Sequence, residues 1–155
     1  MESTSKRVVP NNIFFAWVEE EIASGRSVRF TVNGFSMMPL LRNGKDEVKL
    51  EPCNPQSIVK GDILLFRYKG MHVLHRVTSF DKPTGRIVLR GDNVFGRGED
   101  CLPSDVVGRV AEIYRCNNGT AKAKAPKSAI YSVELLVWRI LRWGMIAAGK
   151  VKRLF

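Results

Sequence analysis

From Ser27 onward the hydrophobic residues recur with a period of two, and this rhythm constrains the chain more than any other feature. Val28, Phe30 and Val32 alternate with Arg29, Thr31 and Asn33, the pattern of a strand with one face buried and one in water. Short runs of strand character follow at 46–50, 62–68, 71–80, 86–90 and 106–114, separated by Gly, Pro, Asn and Asp clusters. Lys69-Gly70 fits a two-residue hairpin loop joining the runs on either side of it. Six short strands after one helix predict a mainly β domain over 27–114. No internal repeat is present.

The flanks have a different character. Asn11 and Asn12 can cap a short helix with Ile13, Phe14, Trp17, Val18 and Ile22 roughly on one face and Gly25 at its end. That helix is too short and acidic to span a bilayer. No apolar stretch of the secretory-signal kind follows residues 1–10, so 1–26 read as a helical lead-in. Residues 115–128 read as a polar linker of small side chains. Residues 129–155 read as a helix whose wheel gathers Glu134, Arg139, Arg142, Lys150, Lys152 and Arg153 in one half. Val133, Leu136, Val137, Ile140, Leu141, Ile146, Ala147, Val151, Leu154 and Phe155 fill the other half.

Charge is concentrated in that tail. The 155-residue chain has a formal net charge of +10. From Arg115 on, nine basic residues face Glu134 alone, so the tail holds +8 of the total. Such a segment seeks an anionic surface. Arg139 and Arg142 break the apolar run, which disfavours spanning a membrane and favours lying in the headgroup plane; docking on the β domain or on a partner is the alternative. Specific nucleic-acid reading is not expected, because one helix ahead of the β domain leaves no DNA-reading unit. A hydrophobic content of 45% with 26% charged residues excludes disorder, collagen-like repeats and a polytopic membrane protein. Cys53, Cys101 and Cys116 are odd in number and lack C-x-x-C spacing, so they read as free thiols.

Three sites can carry chemistry. His72 and His75 are the only imidazoles; three apart on a strand, they point to opposite faces, which argues against a two-histidine metal site. His75 shares a face with Val73 and Val77, where a histidine is either a satisfied core residue or a shielded general base. Ser36 sits in Asn33-Gly34-Phe35-Ser36-Met37-Met38-Pro39 at the end of the first strand. Gly34 and Pro39 make a rigid corner there, either an ordinary turn or a mount for an attacking hydroxyl. Arg90-Gly91-Asp92-Asn93 ends another strand and is either turn chemistry or the source of a carboxylate that orients an imidazole.

In order along the chain, Gly34-Phe35-Ser36-Met37-Met38-Pro39, Val59-Lys60-Gly61-Asp62-Ile63-Leu64-Leu65-Phe66, Val73-Leu74-His75-Arg76-Val77, Arg90-Gly91-Asp92-Asn93 and Asp105-Val106-Val107-Gly108-Arg109-Val110 resemble the type I signal peptidases and the related S24/S26 serine peptidases. The match covers roughly residues 30–110. The histidine resembles that of the endoplasmic-reticulum and archaeal enzymes, where it replaces a lysine. The resemblance implies a signal peptidase/LexA-like curled β-sheet, Ser36 as nucleophile, His75 as general base, and an aspartate, Asp92 or Asp100, as orienter. It implies cleavage of signal or leader segments of exported or modified peptides, with small residues preceding the cut. No metal or organic cofactor is implied. Position 34 is glycine where many relatives carry a hydroxyl, which leaves main-chain N–H groups such as that of Ser36 to hold the oxyanion. The family's usual N-terminal membrane anchor is not read here, and the basic helix is expected to associate with the membrane in its place. A self-cleaving repressor-like regulator and a non-catalytic binding module on the same fold are the alternatives.

Overall fold

The computed structural model describes residues 10–117, 120–126 and 129–149. Helix α1 (Asn11–Ala23) is followed by β1 (Val28–Thr31), β2 (Glu47–Glu51), β3 (Ile63–Tyr68), β4 (Met71–Asp81), β5 (Arg86–Arg90), β6 (Glu99–Cys101), β7 (Val106–Asn117), β8 (Thr120–Lys124) and helix α2 (Ala129–Ala147). The strands form one antiparallel sheet in the order β1-β2-β7-β3-β4-β5-β6, with β8 paired to the end of β7. The sheet curls into a half-barrel, so the chain is mainly β, as the alternation predicts.

The six runs read from the sequence correspond to β1, β2, β3, β4, β5 and β7. β6 has only three residues, too few to establish a period. β8 falls in the stretch read as linker, where Thr120–Lys124 pair with Ile113–Asn117. Its signal lay in the alternation of Ala with Lys after Asn118-Gly119, a hairpin-turn pair; the lack of large apolar side chains concealed it.

α1 also departs from the reading in detail. Asn11 and Asn12 lie inside its first turn, and the N-cap is Pro10, without a side-chain cap. Val18 and Ile22 are buried and Phe14 and Phe15 pack on the core, while Ile13 and Trp17 are exposed. Gly25 ends the helix with φ +85°, a backbone conformation that glycine adopts without strain.

The core lies on both faces of the sheet. Beneath α1, Val18 and Ile22 meet Val28, Val48, Leu50, Ile63, Leu65 and Ile113. The other side holds Ile58, Leu64, Phe66, Val77, Ile87, Leu89 and Cys101. β3 serves both, sending Ile63 and Leu65 one way and Leu64 and Phe66 the other, which explains its unbroken apolar run. Burying each such side chain contributes about 1.5–3 kcal/mol. The three cysteines are free thiols, and burial, aided by Asp105 and Asp100, pushes the Cys101 thiol up to about 12.

α2 ends at Ala147; Lys150, Val151, Lys152, Arg153, Leu154 and Phe155 lie outside the described residues. No helix among the described residues is long and apolar enough to cross a membrane.

Candidate active site

After β1 the chain turns back on itself, with Ser36 half-buried on the turn. Met37, Leu40 and Leu41 are buried in the core beside it and anchor its far side. Gly34 adopts φ +113°, and its N–H donates to Asn43 Oδ1 at 2.8 Å. The Ser36 carbonyl accepts from Asn93 N–H at 2.8 Å, and the Phe35 carbonyl accepts from Asn93 Nδ2 at 3.0 Å. The Ser36 turn is thus tied at its centre to the Gly-Asp-Asn loop. The Ser36 backbone N–H makes no hydrogen bond among the described residues, so it remains available to an incoming oxygen.

His75 lies on β4 opposite Leu64 of β3 and is 4% exposed, with the Phe66 ring 6.3 Å away. Its Nδ1 is 2.8 Å from Glu99 Oε2. An ionised carboxylate only accepts, so Nδ1 donates to it, and in the neutral imidazole that tautomer leaves the lone pair on Nε2. Nε2 makes no hydrogen bond among the described residues.

Gly91 brings the serine turn and the imidazole together. A β-carbon placed on it would stand 2.5 Å from the Ser36 carbonyl oxygen and 2.9 Å from His75 Nε2. The separation of those two atoms therefore cannot exceed the sum of these legs. The Ser36 hydroxyl itself makes no hydrogen bond to His75, and nucleophile–base contacts are commonly looser without substrate.

The two aspartates expected as orienter lie elsewhere. Asp92 accepts two hydrogen bonds from Arg76, Nε and Nη2, each at 2.8 Å. Asp100 pairs with Arg86 at 2.7 Å on an exposed face. Adjacent residues of β6 point to opposite sides of the sheet, so Glu99 reaches His75 and Asp100 cannot. Glu99 shares its face of β6 with Cys101, two positions on and buried in the core. Asn93 was also missed as a site residue, because the Gly-Asp-Asn block was read for its turn chemistry and for the Asp92 carboxylate.

An open cavity of about 260 Å³ adjoins Ser36, lined among others by Phe30, Val32, Met37, Leu65 and Leu74. Two strand edges without a partner among the described residues border it. β5 pairs with β4 only from Arg76↔Arg90 onward, so 71–75 pair with β3 alone among the described residues. Among the described residues β1 pairs only with β2. His72 is on the opposite face of β4 from His75, stacked on Phe15 at 4.6 Å and 2.6 Å from Glu19 Oε1. His72 is thus among the residues lining the cavity beside Ser36, and His75, on the other face of β4, is not.

No protein-family model and no curated protein matches this sequence.

Proposed function

We propose that the protein is a serine endopeptidase of the signal-peptidase kind, with Ser36 as nucleophile, His75 as general base and Glu99 as the carboxylate that positions His75. One observation carries the reading: His75 is held at Nδ1 by a carboxylate while its bare Nε2 and the Ser36 turn both crowd Gly91.

In this reading Ser36 Oγ attacks the scissile carbonyl carbon and its proton passes to His75 Nε2. Glu99 stabilises the resulting imidazolium, and the Ser36 N–H donates to the oxyanion. The C–N bond breaks as His75 returns the proton to the leaving amine, and an acyl ester remains on Ser36. Water then attacks the ester, giving its proton to His75, and the acid product leaves as Oγ is reprotonated.

The unpaired edges of β1 and β4 beside the cavity suit an extended peptide, which can add as a strand and place an uncharged side chain among Phe30, Val32 and Met37. Leader or signal segments of exported or modified peptides have that form. Cleavage of a library of extended peptides tests the proposal. Ser36→Ala and His75→Ala, each with an unchanged circular-dichroism spectrum, should lower the rate by about 10³-fold or more. Undiminished cleavage in either variant would sink it. A cut within the purified chain itself would favour the self-cleaving regulator instead.

A further inference from the structure

Helix α2 sits on the sheet domain with its faces reversed from the usual arrangement, in which a surface helix buries its apolar stripe. Its polar side turns inward. Glu134 lies 3.8 Å from Arg115, Trp138 Nε1 donates to Asn93 Oδ1 at 3.2 Å, and the guanidinium of the buried Arg142 lies 5.8 Å from the centre of the Phe95 ring. The outward side carries Leu136, Ile140 and Trp143, 59–63% exposed, while Val133, Val137 and Leu141, 49–61% exposed, border a groove shared with Pro39 and Arg115. A continuous apolar face of this kind on a water-soluble surface marks an interaction site.

Charge selects what covers it. In the chain Lys122, Lys124 and Lys127 precede the helix, and Lys150, Lys152 and Arg153 follow it. The chain segments flanking the helix are thus strongly basic, which suits anionic headgroups and disfavours pairing with a second, equally basic copy. Trp143 is 63% exposed, and its ring, apolar in body with one N–H, suits the headgroup boundary.

We propose that α2 docks the protein on an anionic bilayer, its outward apolar face entering the interface while its inward face grips the active-site loop. Asn93 is the shared member: it bonds Trp138 on one side and the carbonyls of Phe35 and Ser36 on the other. The lipid-facing helix is thus one residue removed from the nucleophile's turn, and substrates are met where they emerge from the membrane. That last consequence rests on the peptidase reading; the docking does not.

Flotation of the full chain tests the docking, using vesicles of phosphatidylcholine with phosphatidylglycerol and vesicles of phosphatidylcholine alone. Wild type and Ser36→Ala should float equally with the anionic vesicles and much less with the neutral ones. The double variant Leu136→Glu/Ile140→Glu, with its circular-dichroism spectrum unchanged, should lose about tenfold or more of the binding. The proposal is overturned if that variant floats like wild type, if neutral vesicles bind as well, or if wild type stays unbound. It is equally overturned if sedimentation without lipid shows a wild-type dimer that the double variant breaks, because the face would then be a self-association surface. Ser36→Ala carries no hydroxyl nucleophile, so its flotation judges the docking whatever becomes of the catalytic reading.

Discussion

Glu99 Oε2 lies 2.8 Å from His75 Nδ1, although the residues belong to β6 and β4 with β5 between them. The side chain crosses a whole strand to fix one imidazole, so its role can be separated from general packing. Glu99→Gln keeps the shape but removes the charge that fixes the tautomer and stabilises the imidazolium. It should lower kcat by about 10²–10⁴-fold with little change in KM. A steady-state comparison showing equal kcat would make Glu99 a bystander.

Asp92 and Asp100 should behave differently from Glu99 and from each other. Asp92, its side chain 2% exposed, holds Arg76. Asp92→Ala strands that guanidinium and should cost on the order of 3 kcal/mol in urea unfolding. Arg86–Asp100 is solvated, at 62% and 50% exposure, so Asp100→Ala should shift stability by less than about 0.5 kcal/mol and leave cleavage unchanged. A strong kinetic defect confined to Asp100→Ala would return that residue to the site.

Gly91 is the tightest point of the site. An added methyl would meet the Ser36 carbonyl at 2.5 Å and His75 Nε2 at 2.9 Å, and neither is the free end of a flexible chain. Gly91→Ala should push the serine turn away from the imidazole and reduce kcat/KM by about 10²-fold. Wild-type kinetics in that variant would show that the serine turn does not need this close approach.

Asp46 sets part of the acid limit of folding. Burial alone would raise its carboxyl, but hydrogen bonds from the Arg42 side chain and N–H, with the charges of Arg42 and Arg115, outweigh burial and hold it below the ordinary range. A lowered native value means that the ionised group stabilises the fold fully above the unfolded value of about 3.9, and that this stabilisation fades as pH falls through the native one. The Tm gap between wild type and Asp46→Asn should stay constant from neutral pH to about 5 and narrow below about 4. A gap independent of pH would assign Asp46 a purely steric role.

Much of the fold was legible because a two-residue period is a direct record of which face is buried. Where that record is short or lacks large side chains, as in β6 and β8, it fails. Long-range pairing is invisible to it: nothing local ties Asn93 to Ser36 or Glu99 to His75. The blocks that looked chemical hold mixed duties. Gly91 gives space, Asp92 neutralises Arg76, Asn93 anchors the serine turn, and Asp62, 2.9 Å from the Val59 N–H, closes its own loop. The wheel of the last helix put Glu134 and Arg142 in one half and Leu136 and Ile140 in the other but could not say which half faces the protein, because that depends on partners at Asn93, Phe95 and Arg115.

Labelling by a fluorophosphonate, read by intact-protein mass spectrometry and peptide mapping, is the most direct test of the Ser36–His75 pairing. The expected result is one adduct on Ser36 in the wild type, none in Ser36→Ala, and labelling slowed by about 10²-fold or more in His75→Ala. An adduct that persists in Ser36→Ala, or forms at the same rate without the imidazole, would contradict the account.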